Sequence, residues 1–366
     1  MSSQEQGRAR VLMLCFMLYA MKVIVFSYQH HSGVILPFYS RYILICTQNL
    51  LALAYNAHLG GYGVFTKIRA DVNIVPVGGL SISSALTSEV VFAVKTAYSS
   101  VLDSTRIKSL LVTNPHNPIG RCYSPSLLKE LMAFCKDKGL QYISDETFAM
   151  SAFGSEREGV FTSALAIVDG EKESPISPNS VHVIYSMSKD FCCAGARMVR
   201  YIHSMFTARL KENQGCIVSR NRPVLEGSML ANYLQTSVLN SIFVTSLLAS
   251  PELPSILASL KSRLACNHAL LTQALEKWGV EYLPTDAGFH IYAKLAKHAQ
   301  TWEEEAEMIT RLSSVGVMVV PGKSFGGVDG QTGWVRLGFS IPENKLKSGL
   351  EIIEKTLGFE KEVEEL

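Results

Sequence analysis

The sequence has almost no excess of charge of either sign: 34 Lys+Arg stand against 32 Asp+Glu, a formal net charge of +2. No long basic block and no alternation of basic with aromatic residues breaks that balance. A nucleic-acid surface is therefore disfavoured, and a small molecule is the expected partner. The eight cysteines, at positions 15, 46, 122, 135, 192, 193, 216 and 266, include no C-x-x-C pair, and no histidine cluster has metal-ligand spacing. A zinc site is thereby disfavoured, and the cysteines read as reduced, mostly buried thiols of a cytoplasmic-type chain. Adjacent Cys192 and Cys193 read as packing residues rather than a redox pair. Internal repeats and low-complexity tracts are absent as well.

What is present is bulk and apolarity. With 366 residues and 48% hydrophobic composition, the chain can bury a large core, and two domains are expected rather than one. The N-terminus is unusual. Val11 to Tyr28, "VLMLCFMLYAMKVIVFSY", is apolar except for Lys22 and follows Arg8 and Arg10. A single membrane span needs about 20 apolar residues, so the run is close to that length with a lysine inside it. A signal peptide, an anchor and a buried segment all stay open, the anchor being less favoured. The following "FSYQHHSG" offers no small-x-small cleavage site.

From Asp71 onward, β-branched runs alternate with helical patterns. Strands are expected at 72–77, 109–114, 140–144 and 181–186, with helices at 86–102 and 126–139. Ser124-Pro125 opens the second helix and Gly139 stops it. Strand, helix, strand in this order implies a mostly parallel sheet flanked by helices. Beyond "PELP" (251–254) the text changes to a helix at 254–278, short strands at 288–294, 317–322 and 334–340, and helices at 302–313 and 342–357. The expected organisation is an atypical hydrophobic segment over 1–54, a large α/β domain over 55–250 and a smaller α/β domain over 251–366. A helix is expected over 227–250, and 206–224 reads as a surface insertion.

Ligands of open α/β sheets sit at the carboxyl ends of the strands. Three strand ends carry polar residues: Asn114 and Asn117, Asp145 and Glu146, then Ser186, Ser188 and Lys189. Each has an ordinary explanation as a turn former, a helix cap or a surface charge. Their joint order is more specific. Lys189 lies between an apolar strand and the small-residue run "CCAGA", which lets a backbone approach something closely, with Arg197 eight residues on. That context suits a lysine that forms an imine.

The motifs "NPHNPIG", "YISDETF", "YSMSKDFCCAGAR", "VPGKSF" and "WVRLGF" together resemble the class I/II aminotransferase superfamily of pyridoxal-phosphate fold type I over roughly residues 55–357. The wording is most similar to the branch containing 1-aminocyclopropane-1-carboxylate synthases and fungal relatives, some of them carbon–sulfur lyases. The resemblance implies that Lys189 holds pyridoxal 5'-phosphate as a Schiff base and serves as general base at the substrate Cα. It implies Asp145 at the pyridinium nitrogen, Asn117 at the ring 3-oxygen, and Ser186 and Arg197 at the phosphate with Ser188 a lesser contributor. Arg336 matches the arginine that pairs with the substrate carboxylate, with an edge-strand surface charge as its ordinary explanation. Tyr62 matches an aromatic that stacks on the ring, and a packed or turn tyrosine explains it equally well.

Two departures accompany the resemblance. Where the family has a tyrosine three residues after the aspartate, this chain has Phe148, which cannot donate a hydrogen bond and leaves Asn117 as the main partner of the 3-oxygen. Residues 1–54 also contain no counterpart of the family's phosphate-binding Gly-Ser/Ala turn, so the family domain is expected to be truncated at its N-terminus. The implied function is an aminotransferase of secondary metabolism acting on an α-amino-acid-like substrate, as a homodimer. A carbon–sulfur lyase, a cyclopropane-forming synthase and a non-catalytic relative remain alternatives.

Overall fold

A computed structural model describes residues 50–55, 72–78, 84–154, 161–170, 173–193, 199–202, 215–230, 238–325 and 332–359. The 11–28 run lies outside these residues, as do Tyr62 and Arg197. Among the described residues no single helix is long and apolar enough to cross a membrane.

Seven strands form the main sheet: β1 (Leu50–Tyr55), β2 (Val72–Pro76), β3 (Ile107–Thr113), β4 (Gln141–Asp145), β5 (Val181–Ser186), β6 (Val199–Ile202) and β7 (Gly215–Ser219). Their spatial order is β2-β1-β3-β4-β5-β7-β6. The first five are parallel, β7 runs antiparallel to β5, and β6 is parallel to β7. The side chains of β3 and β4 are buried almost throughout. Continuous burial is what a parallel strand requires when both sheet faces are covered.

The helices supply that cover: α1 (Glu89–Ser100), α2 (Pro125–Lys138) and α3 (Ala164–Gly170). Helix α2 shows how directly the sequence encodes its ends. Ser124 Oγ accepts the Leu127 N–H at 3.2 Å, Pro125 occupies the first turn where no donor is needed, and Gly139 closes the helix at φ 66°. Its buried face, Leu127, Leu128, Leu131, Met132 and Cys135, meets Leu110, Val112 and Tyr142 in the main core.

After β5 come the short helix α4 (Met187–Asp190), then α5 (Arg222–Leu230), α6 (Val238–Leu248) and α7 (Leu253–Lys277). A three-stranded antiparallel sheet follows, in the order β8 (His290–Ala293), β10 (Val335–Gly338), β9 (Val320–Pro321). Helices α8 (Trp302–Ser314) and α9 (Glu343–Leu357) pack with α7 around a second core containing Leu264, Leu271, Leu275, Ile291, Leu312, Val335 and Ile353. A reciprocal capping box between Thr301 and Glu304 starts α8.

The two cores meet at Gly120. Its carbonyl accepts the N–H groups of Asp286 and Ala287 at 3.0 and 2.9 Å. Its φ is +72°, and a Cβ there would stand 2.5 Å from Thr285 Cγ2 and 2.9 Å from the carbonyl oxygens of Ala287 and His290. Only glycine fits.

Two sequence expectations need correction. Strand β1 pairs with both β2 and β3, so the boundary drawn at 54/55 cuts through a strand inside the main sheet. Its apolar text, "LLALAY", is bracketed by polar Thr47-Gln48-Asn49 and Asn56 and lies before residue 72, where the expected strands begin. Residues 215–219, assigned to a surface insertion, form β7 between β5 and β6; polar neighbours concealed a five-residue strand. The helix expected over 227–250 overlaps the end of α5 and the whole of α6, and its stretch 231–237 lies outside the described residues.

Candidate active site

The parallel register brings the polar strand ends together. Thr113 pairs with Asp145, and Asp145 pairs with Ile184, across adjacent strands. The backbone continues the alignment: Asn114 N–H donates to the Asp145 carbonyl at 2.9 Å, and Glu146 N–H donates to the Ile184 carbonyl at 2.7 Å. The turn after β3, the carboxylates ending β4 and the lysine-bearing helix after β5 therefore share one edge of the sheet.

Ser186 is the N-cap of α4. Its Oγ accepts the Ser188 N–H at 3.1 Å and donates to Ser188 Oγ at 2.8 Å. The two serines are thus oriented together at the start of the helix that carries Lys189. Asp145 is buried, and its Oδ1 accepts the Thr147 N–H at 3.2 Å. Beside it Glu146 is held nearly dry, and burial pushes its carboxyl up to about 7. Hydrogen bonds from Ala164 N–H, Ser163 and Ser144 oppose that rise, while the neighbouring Asp145 charge adds to it.

Lys189 is exposed as a residue, but its amine is not in bulk water. Its Nζ lies 5.8 Å from the centroid of the Phe148 ring. The pKa is lowered, first by desolvation and then by the positive charge of Arg336, with Asp145 acting in the opposite sense. The surroundings of Nζ matter more here than the exposure of the whole side chain, because only the atom that carries the charge senses the lost hydration. Lowering favours the neutral, nucleophilic amine.

Arg336 reaches the same place from β10. Its Nη1 donates to Asn117 Oδ1 at 2.8 Å, and its guanidinium carbon sits 5.0 Å from the centre of the Phe325 ring. Its Nε is buried and makes no hydrogen bond among the described residues, and desolvation lowers the pKa of the group. A guanidinium remains charged in a protein. What results is a partly dehydrated cation with donor capacity to spare, close to a lysine amine.

Phe148 is buried, with edge-on contacts to Phe289 at 5.5 Å and His290 at 6.1 Å. Sequence reasoning singled out Phe148 only as a departure, and it assigned no role to Phe325, His290, Tyr185 or Asp190. Phe325 lay inside a recognised motif, and Asp190 adjoins Lys189. His290 carried no local signal, since only the β8–β10 register sets it opposite Gly338, two residues from Arg336.

Of the residues singled out from sequence, the structure groups Lys189, Asp145, Asn117 and Arg336, with Ser186 and Ser188 at the head of α4. The fold and this edge define a class: the pyridoxal-phosphate fold type I enzymes. Among solved structures, a protein of Pyrococcus superposes with a TM-score of 0.70 at 16% identity, covering 90% of this chain and 76% of that one. An aspartate aminotransferase of Thermus thermophilus superposes with a TM-score of 0.67 at 17% identity, covering 88% and 75%. The chain belongs to the aminotransferase class I and II family, whose model matches residues 91–353, and members of that family depend on pyridoxal phosphate.

Curated relatives include a "probable aminotransferase" of Aspergillus oryzae, 32% identical over 75% of this chain and 62% of its own length. Another, from Leptosphaeria maculans, is 36% identical over 68% and 55%. A 1-aminocyclopropane-1-carboxylate synthase of Arabidopsis thaliana is 29% identical over 80% and 56%. The chain thus spans somewhat more than half the length of these relatives.

Proposed function

We propose that the chain acts as a pyridoxal-phosphate-dependent aminotransferase on an α-amino acid or amino-acid-derived substrate of secondary metabolism, with Lys189 as the cofactor-bearing residue. The observation that carries this reading is the meeting of a lysine amine of lowered pKa with a buried carboxylate and a partly dehydrated arginine at the carboxyl ends of parallel strands. The "probable aminotransferase" names of the fungal relatives support it.

The donor set fits the cofactor. Lys189 supplies the amine for covalent attachment. Asp145 supplies a buried negative charge suited to a protonated ring nitrogen, and Asn117 an amide for the ring 3-oxygen. Ser186, assisted by Ser188, supplies hydroxyls at a helix start for the phosphate. Arg197 is assigned to the phosphate and Tyr62 to the ring face by resemblance alone. When bound, pyridoxal phosphate provides a ring that accepts the electrons released as the substrate Cα–H bond breaks.

The remaining roles belong to the chain. Arg336 uses the donors not engaged by Asn117 to fix the substrate carboxylate, which orients the Cα–H bond. The orphaned, buried Nε supports that role. With the cofactor bound, Lys189 would be the base that takes the proton from the substrate Cα. Its lowered pKa enlarges the neutral fraction that can accept a proton. Phe148, Phe289 and Phe325 limit water around these atoms. The working unit is a homodimer in the cytoplasm, with the chain dividing near residue 251 into a large and a small domain.

The test is turnover by the full chain supplied with pyridoxal phosphate, a panel of α-amino acids and a 2-oxo acid acceptor. Transamination predicts one new 2-oxo acid per acceptor aminated, without release of ammonia or sulfide. Release of ammonia with sulfide identifies the carbon–sulfur lyase alternative.

A further inference from the structure

Asp190 follows Lys189 at the end of α4 and is only 3% exposed. Its Oδ2 accepts the Met150 N–H at 3.1 Å and the Tyr185 O–H at 3.0 Å. Its Oδ1 is buried and makes no hydrogen bond among the described residues. An incompletely satisfied carboxyl is costly in such a place, and no step of the proposed chemistry touches it.

What Asp190 joins explains its position. Tyr185 stands near the end of β5, directly before the lysine-bearing helix. Met150 belongs to the 3-10 turn Ala149–Ser151, immediately after Phe148. That turn is also fastened from the other side: Ser151 Oγ donates to the Phe148 carbonyl at 2.6 Å and accepts the Gly288 N–H at 3.2 Å. The Phe148 ring and the Lys189 amine that faces it come from separate chain segments, and the Asp190 carboxylate bonds those segments to each other.

We propose that Asp190 is a positioning residue for Lys189: its carboxylate locks the lysine-bearing helix to the Phe148 turn and so fixes the apolar wall against which the lysine amine lies. The inference rests on the reading of Lys189 as the reactive amine and adds the device that sets its surroundings. Without the carboxylate the Met150 N–H loses its acceptor, the turn is released from α4, and water reaches Nζ. The amine pKa then returns toward its ordinary value. Burial pushes the Asp190 carboxyl up to about 7, against the Met150 and Tyr185 hydrogen bonds and the Lys261 charge. Oδ2 stays an acceptor in either protonation state, so the tie survives across neutrality.

The experiment measures the titration of Lys189 in the full chain without cofactor. Trinitrobenzenesulfonate labels the amine across a pH series, and peptide mass mapping quantifies the modified lysine. In a folded Asp190→Ala variant the midpoint rises by about one unit, equivalent to roughly tenfold slower labelling below the midpoint. Asp190→Asn, whose side-chain oxygen can accept both bonds, restores labelling to within about twofold. Tyr185→Phe removes one bond and shifts the midpoint the same way by less, and it carries the test if Asp190→Ala does not fold. An unmoved midpoint in a folded Asp190→Ala chain overturns the proposal. So does an Asn variant that behaves like Ala, or an unmoved Tyr185→Phe midpoint where Asp190→Ala fails to fold. Failure of the parent chain to bind pyridoxal phosphate would instead count against the proposed function, leaving the labelling result to stand by itself.

Discussion

Arg336 and Asn117 are 219 positions apart in sequence and share a 2.8 Å hydrogen bond, Nη1 to Oδ1. The bond joins β10 of the second core to the turn that follows β3 of the first. One residue pair thus couples the closure of the two cores to the orientation of a guanidinium with an unused, buried Nε.

Replacing that guanidinium tests its use. Arg336→Lys keeps the charge but loses the planar fork, and kcat/KM for an amino-acid substrate is expected to fall roughly 100-fold, or about 2.7 kcal/mol. Asn117→Ala should fall less, because Arg336 keeps its other donors. Steady-state kinetics over a substrate series would show both; equal activity of Arg336→Lys and the parent would assign Arg336 to structure.

Gly120→Ala probes the junction of the cores. The new methyl would be forced against Thr285 and two carbonyl oxygens, at a φ of +72°. Strain of this kind costs about 1–3 kcal/mol before the clash is counted. Thermal or urea melts should show a loss of at least that size, and an unchanged melt would contradict the packing described.

Stability should also fall with rising pH through Glu146. Burial pushes its carboxyl from 4.5 up to about 7. Between those values the folded chain keeps a proton that the unfolded chain releases, so stability is full below 4.5, declines as pH rises and has lost this contribution above 7. Asp190, also raised to about 7, adds to the same trend. Glu146→Gln keeps an oxygen for the Ala164 N–H, which the parent bonds at 2.8 Å, and removes one titration. Its decline across this range should be shallower by at least about 1 kcal/mol, measured by denaturant titration at several pH values.

Glu305 organises the turns near Arg336 from a distance. Its carboxylate, 1% exposed as a residue, accepts the Gly333 N–H at 2.9 Å and the Lys323 N–H at 3.4 Å. Glu305→Ala leaves these donors without an acceptor and should cost about 2–3 kcal/mol. Phe325 lies in the turn so held, so KM should rise more than kcat falls.

Much of this was legible in the sequence for identifiable reasons. Helix α2 announces both its ends by Ser124-Pro125 and Gly139, and β5 was bounded by its own apolar run to the residue. The polar edge of the sheet was legible because polar residues at three strand ends stand out from apolar text. Strand β1 was missed although polar Thr47-Gln48-Asn49 and Asn56 bracket it, because what places it in the sheet is pairing with β2 and β3, which local text does not show. The roles of Phe148, His290 and Asp190 were hidden because each depends on contacts between distant segments. Asp190 in particular carries no role in the sequence alone and gains one only from its bond to the Met150 N–H.

The central claim is that Lys189 carries the cofactor. Full-length protein incubated with pyridoxal phosphate, reduced with borohydride and digested should yield a single phosphopyridoxyl-modified peptide, with the adduct on Lys189 and absent from a Lys189→Ala variant. An adduct confined to other lysines, or no adduct at saturating cofactor, would contradict the account.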